Sequence, residues 1–160
     1  MRLVTHALTV TAALVLMLPA SRLVAQAGDP AMGTWVLNVA KSKYEPGPPP
    51  KSLTRTYTAA ANGYRFTSDG VSASGQKTHV EFTAVFDGKY HPMSGTSTAD
   101  AIMVKRIDAR TVESIQMKGA KEVMRTTRVV SNDGKVLTST AKGTDAAGKP
   151  TSNVEVFEKK

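Results

Sequence analysis

The chain contains no cysteine. Disulfides, thiolate metal sites and thiol catalysis are therefore excluded together. Large apolar residues are scarce as well: beyond residue 27 there are three Leu, three Ile and one Trp, against 27 Ser and Thr. An interior of that composition is made of Val, Ala, Thr and Met, or it is partly hollow and wet. The two histidines of this region, His79 and His91, stand apart, without a His-x-His or His-Glu-x-x-His pattern. His79 and Glu81 fall on one side of an expected strand, which reads as an ordinary exposed polar face. There is no Gly-x-Ser-x-Gly elbow, and no glycine-rich phosphate loop leads into a helix. The sequence names no catalytic residue, no metal site and no cofactor.

One long apolar run is present, at the start of the chain. Arg2 precedes the uncharged stretch Leu8 to Leu18, Pro19 ends it, and Ala25-Gln26-Ala27 follows with small-x-small spacing. That order predicts a signal peptide over 1–27, cleaved after Ala27, and a single domain over 28–160. The run is too short to span a bilayer comfortably. Lack of a twin-Arg pair and of cysteine removes Tat export and lipoprotein anchoring. The domain is expected in the periplasm or secreted, with no integral membrane segment after cleavage. Loss of Arg2 and Arg22 lowers the formal charge from +8 to +6. The remaining basic residues are dispersed, whereas a nucleic-acid surface gathers them in a stripe with stacking aromatics. Nucleic acid is not an expected partner; the charge reads as solubility with a mild preference for anions.

Within the domain, tight-turn signals recur. Asn62-Gly63, Asp69-Gly70, Asp87-Gly88, Gly119-Ala120, Asp133-Gly134 and Asp145 to Gly148 cut the chain into strand-length pieces. The pieces alternate: Val80, Phe82, Ala84 and Phe86 share a face opposite His79, Glu81 and Thr83. Trp35, Leu37 and Val39 share another on the first strand, read as 33–39. The stretch 40–52 breaks this strand: Pro46, Pro48, Pro49 and Pro50 forbid helix and ladder alike, and it reads as an extended surface connector. Several strands mix polar and apolar residues on both faces, as in Arg125, Thr126, Thr127 and Arg128. Mixed faces fit a partly polar lumen better than a dry sandwich. The predicted fold is all-β: one antiparallel up-and-down barrel of about 8–10 strands.

The first strand carries Gly33-Thr34-Trp35, and the last ends Val156-Phe157-Glu158-Lys159. Trp35 is large enough to close one end of a barrel, and its N–H needs an acceptor. With this Gly-x-Trp the domain resembles the calycins, which include lipocalins and fatty-acid-binding proteins. The stretch from Gly33 to Gly47 resembles exported bacterial lipocalin-like proteins. The resemblance implies a barrel that holds a small hydrophobic or amphipathic molecule, with Gly33 and Trp35 as structural residues at its end. Two departures stand out. The Pro-rich stretch replaces the helical lid of fatty-acid-binding proteins. Their closing strand often holds the ligand carboxylate with Arg-x-Tyr, and the matching positions here are Glu155 and Phe157. Arg55, Arg65, Arg125 and Arg128 are the substitutes on offer, although a strand arginine ordinarily points outward.

The reading that follows is a non-enzymatic binding protein with a ligand in the barrel lumen. Tyr57, Phe66, Phe82, Phe86, Met103, Ile115, Met124 and Arg125 are its candidate lining. The alternative is a filled barrel serving as a structural or interaction protein of the envelope. A lumen under about 300 Å³ favours that alternative. An enzyme would require His79, Glu81 and His91 to converge inside. Oligomeric state and ligand identity are not legible.

Overall fold

The computed structural model describes residues 28–160; the expected signal peptide lies outside the described residues. Eleven strands form one antiparallel sheet: β1 (Gly33–Leu37), β2 (Lys43–Glu45), β3 (Ser52–Ala60), β4 (Gly63–Val71), β5 (Lys77–Val85) and β6 (His91–Ser94), followed by β7 (Ala101–Arg106), β8 (Thr111–Lys118), β9 (Lys121–Val130), β10 (Val136–Thr144) and β11 (Pro150–Lys159). From β3 to β11 each strand pairs with the next in the chain, and β1 pairs with both β3 and β11. The β1–β11 pairing closes the sheet and removes its edges. β1 and β2 lie on the same edge of β11, against 157–159 and 152–154 respectively. They are one strand interrupted by a 3₁₀ turn, Val39–Lys41. The result is a ten-stranded up-and-down barrel. Among the described residues there is no α-helix, and no helix long and apolar enough to cross a membrane.

Three local expectations are corrected. The stretch 40–52 is not connector throughout, because Lys43–Glu45 pairs with β11 as β2. Asp69-Gly70 is not a turn but the inside of β4, and the chain reverses at 72–76 instead, where Ser72 N–H donates to the Gln76 carbonyl at 2.8 Å. Gly70 is there because the strands crowd it: a Cβ would stand 2.5 Å from the Ser52 carbonyl oxygen. Val39 does not continue β1. Asn38 accepts from Lys41 N–H at 3.1 Å and caps the 3₁₀ turn, which leaves Val39 exposed.

Successive hairpins place the turns alternately at two ends. One end is closed. Trp35, Leu137 and Phe157 have no exposed surface, and Val104, Val112 and Val130 pack with them. The segment before β1 folds underneath: the Trp35 indole N–H donates to the Ala31 carbonyl at 2.7 Å. The Asp29 carboxylate accepts from Ala31 N–H at 2.9 Å and pairs with Arg106, whose guanidinium lies 4.5 Å over the Phe86 ring. Gly33 has φ +111°, a conformation open to glycine at this entry into the barrel. The other end is ringed by the Pro-rich stretch and by the reversals at 72–76, 95–100, 119–120 and 145–149.

Candidate functional site

Above the closed end the barrel encloses a cavity of about 240 Å³. Its two walls differ in chemistry because the inward positions of neighbouring strands align in rows. One row runs Tyr57, Phe66, Phe82, Met93 across β3 to β6. Phe66 and Phe82 stack at 4.6 Å, and Tyr57 meets Phe66 edge-on at 5.1 Å. Such contacts hold flat apolar surface rigidly. The opposite row runs Arg128, Ser139, Glu155 across β9 to β11. Beside it lie Ser114, Thr126 and Asn153. The lumen is amphipathic, apolar on one side and polar on the other.

Two arginines reach this interior, and their circumstances are opposite. The Arg55 guanidinium donates to the Glu155 carboxylate at 2.6 Å. The Tyr44 hydroxyl donates to the other carboxylate oxygen at 3.1 Å, and the Phe157 ring lies 4.3 Å beneath the guanidinium. Burial is the largest influence and works against the Arg55 charge. The Glu155 charge, then Tyr57, the hydrogen bond to Glu155 and lastly Tyr44 together hold the pKa above its ordinary value. Burial, then the Glu155 charge, pushes the Tyr44 hydroxyl up, so it remains a proton donor.

Arg128 is 6% exposed and lies 4.5 Å over Tyr57 and 5.0 Å over Tyr64. Among the described residues no carboxylate comes within ion-pair distance of it. Burial opposes its charge too, yet the surrounding tyrosine oxygens and, more weakly, Asp29 keep its pKa raised. Burial likewise pushes Tyr64 up to about 12, against the lowering effect of Arg128. The Nε–H groups of both arginines are buried without a hydrogen-bond partner in the protein. Such groups call for water or a ligand.

The candidate residues divide. Tyr57, Phe66, Phe82 and Met124 are in the cavity wall. Phe86 lies past the end of β5, at the closed end under Arg106. Met103 and Ile115 are cross-strand partners on the outer face, because β7 turns Ile102 and Val104 inward and β8 turns Ser114 and Gln116 inward. Arg125 also points outward and pairs with Glu122 at 3.0 Å. Its inward counterpart is Arg128, three residues on. Contrary to the expectation of outward arginines, Arg55 and Arg128 are both internal; Arg65 is outward and pairs with Glu81 at 2.7 Å. His79 binds Asp69 at 2.6 Å and His91 binds Asp87 at 3.0 Å, so His79, Glu81 and His91 do not converge. Among the described residues no group of three or more His, Asp or Glu is placed to hold a metal ion.

These signals were present in part. Met124, Arg128 and Val130 share a parity on β9, which assigns Arg128 to the face of an apolar residue on each side. On β7, Lys105 shares the parity of Met103 and marks that face as outer. Nothing in β8 by itself reveals that Ser114 and Gln116 face in while Ile115 faces out.

Closure, strand order and interior together define the class: a closed antiparallel up-and-down barrel with an amphipathic lumen. In fold the chain is similar to zebrafish ileal bile acid-binding protein, solved in complex with cholic acid. The TM-score is 0.52 at 16% identity, over 82% of this chain and 99% of that one. Neither the family models nor the curated proteins give a match. The likeness is one of fold.

Proposed function

We propose that the chain is an exported, non-enzymatic binding protein of the lipocalin-like kind that holds one small amphipathic anion in its barrel. Arg128 receives the anionic group, and the ring or chain lies against Tyr57, Phe66, Phe82 and Met124. The observation that carries this reading is Arg128: a buried cation in the cavity wall with an unused Nε–H and no counter-ion among the described residues. A buried charge is retained at a cost unless something pairs with it. An amphipathic lumen supplies both parts of the recognition, and the bile acid-binding barrel of similar fold supports the mode.

Size narrows the ligand. A cavity of about 240 Å³ is below the roughly 300–1,000 Å³ of pockets for drug-sized ligands. The occupant is therefore a compact acid, such as a short aryl-alkyl carboxylate, rather than a molecule of bile-acid size. The same volume favours, as second reading, a filled barrel that serves the envelope as a scaffold. Native mass spectrometry of the protein recovered from its own host separates the two. The binding reading expects a protein of residues 28–160 in the periplasmic or secreted fraction, carrying a small adduct that Arg128→Met abolishes. Protein free of ligand in every preparation, with no uptake of added aryl carboxylates, supports the scaffold.

A further inference from the structure

The two internal arginines are built into one belt. Arg128, Ser139 and Glu155 are successive partners across β9, β10 and β11, and Glu155 in turn holds Arg55. Neighbouring strands stand about 4.8 Å apart, which puts the backbones of Arg128 and Glu155 about 10 Å from each other. The lumen thus contains two cationic places, Arg128 and Arg55, and only Arg55 is neutralised from within. Glu155 is buried, and its two oxygens are engaged by Arg55 and Tyr44.

We propose that Glu155 is a resident counter-anion that occupies the Arg55 site and makes the lumen selective for monoanions over dianions. The inference rests on the binding reading above, since it presupposes that Arg128 takes a ligand anion. A second carboxylate entering the lumen meets Arg55 with its charge already paired and faces the negative charge of Glu155, so that the unused Arg55 Nε–H is the donor left there to offset the water it loses. A monoanion leaves that end of the cavity undisturbed. Specificity here comes from a repulsive group placed against the wrong ligand as much as from an attractive one placed for the right one.

The test uses 3-phenylpropionate as the monoanion and 3-(4-carboxyphenyl)propionate as the dianion, titrated by calorimetry. Wild-type protein is expected to prefer the monoanion by about tenfold or more. Glu155→Ala vacates the resident carboxylate, and the preference reverses as the second carboxylate takes its place on Arg55. The double variant Arg55→Met with Glu155→Ala keeps the vacated space but lacks the guanidinium, and the monoanion preference returns. Where Glu155→Ala does not fold unaided, the dianion and not the monoanion restores a cooperative thermal transition, since ligands that bind only the folded state stabilise it.

An unchanged preference in Glu155→Ala, failed rescue, or reversal in both variants overturns the proposal, the last because space alone would then explain it. Absence of monoanion binding to the wild type overturns the binding reading and this inference together. Monoanion binding with an unaltered preference overturns this inference alone.

Discussion

The closed end and the lumen of this barrel are built from the same strands and obey opposite rules. At the closed end polar groups are few and satisfied: the Trp35 N–H has the Ala31 carbonyl, and Asp29 has both Arg106 and a backbone N–H. Trp35, Leu137 and Phe157 are entirely enclosed there. Two residues along the strands from Val130, Leu137 and Phe157 the row changes to Arg128, Ser139 and Glu155, Arg55 joins it from β3, and two guanidinium N–H groups lack partners in the protein. Burial at the first end stabilises the fold. Burial in the lumen keeps charge in reserve. The molecule separates stability from recognition along the barrel axis.

Variants that respect this division should lose one property and keep the other. The largest effect is expected from Trp35→Ala or Phe157→Ala, which open cavities at the closed end and cost about 3–5 kcal/mol in denaturant unfolding. Next is Asp29→Ala, which strands the partly buried Arg106 guanidinium and costs about 1–3 kcal/mol by the same measurement. Arg128→Met should invert the pattern: unfolding free energy unchanged or raised, because an unpaired buried charge is replaced by an apolar side chain. Its loss appears instead in binding of aryl carboxylates. A fall in stability as large as that of Trp35→Ala would erase the distinction between the two regions.

Outer-face changes sharpen the contrast from the other side. Ile115→Thr and Arg125→Ala should each stay within about 0.5 kcal/mol of wild type and leave binding unaltered. The smallest effect concerns pH. The hydrogen bond to Asp69 is the main cause that raises the His79 pKa, with the Asp69 and Glu81 charges adding to it. A raised pKa in the folded state gives a contribution that is full below the unfolded value of about 6.5 and is lost as pH rises through the folded value. NMR titration should find the His79 midpoint above that value, and Asp69→Asn should return it.

Much of the barrel was legible because hairpin chemistry is local. Asn62-Gly63, Asp133-Gly134 and Asp145 to Gly148 mark reversals that need no knowledge of the rest of the chain. Asp69-Gly70 misled because its glycine answers a tertiary demand, the approach of β3, and not a turn. The lumen was legible only where parity was clear. Tyr57, Phe66 and Phe82 follow from alternation, while Met103 and Ile115 are apolar residues that the barrel turns outward as a pair. In a chain so poor in large side chains, hydrophobicity is a weak guide to the inside. The internal arginines are the counterpart of that poverty: polar residues fill the interior that Leu and Ile do not, and only the row Arg128, Ser139, Glu155 shows how they are arranged.

The division of labour stands or falls on whether Arg128 recognises an anion. The direct measurement is the affinity of 3-phenylpropionate against that of its primary amide, for wild type and Arg128→Met. Wild type is expected to bind the carboxylate more tightly by about tenfold or more, and the variant to bind both weakly and alike. Equal affinity of wild type for acid and amide, or an acid preference that survives Arg128→Met, would contradict it.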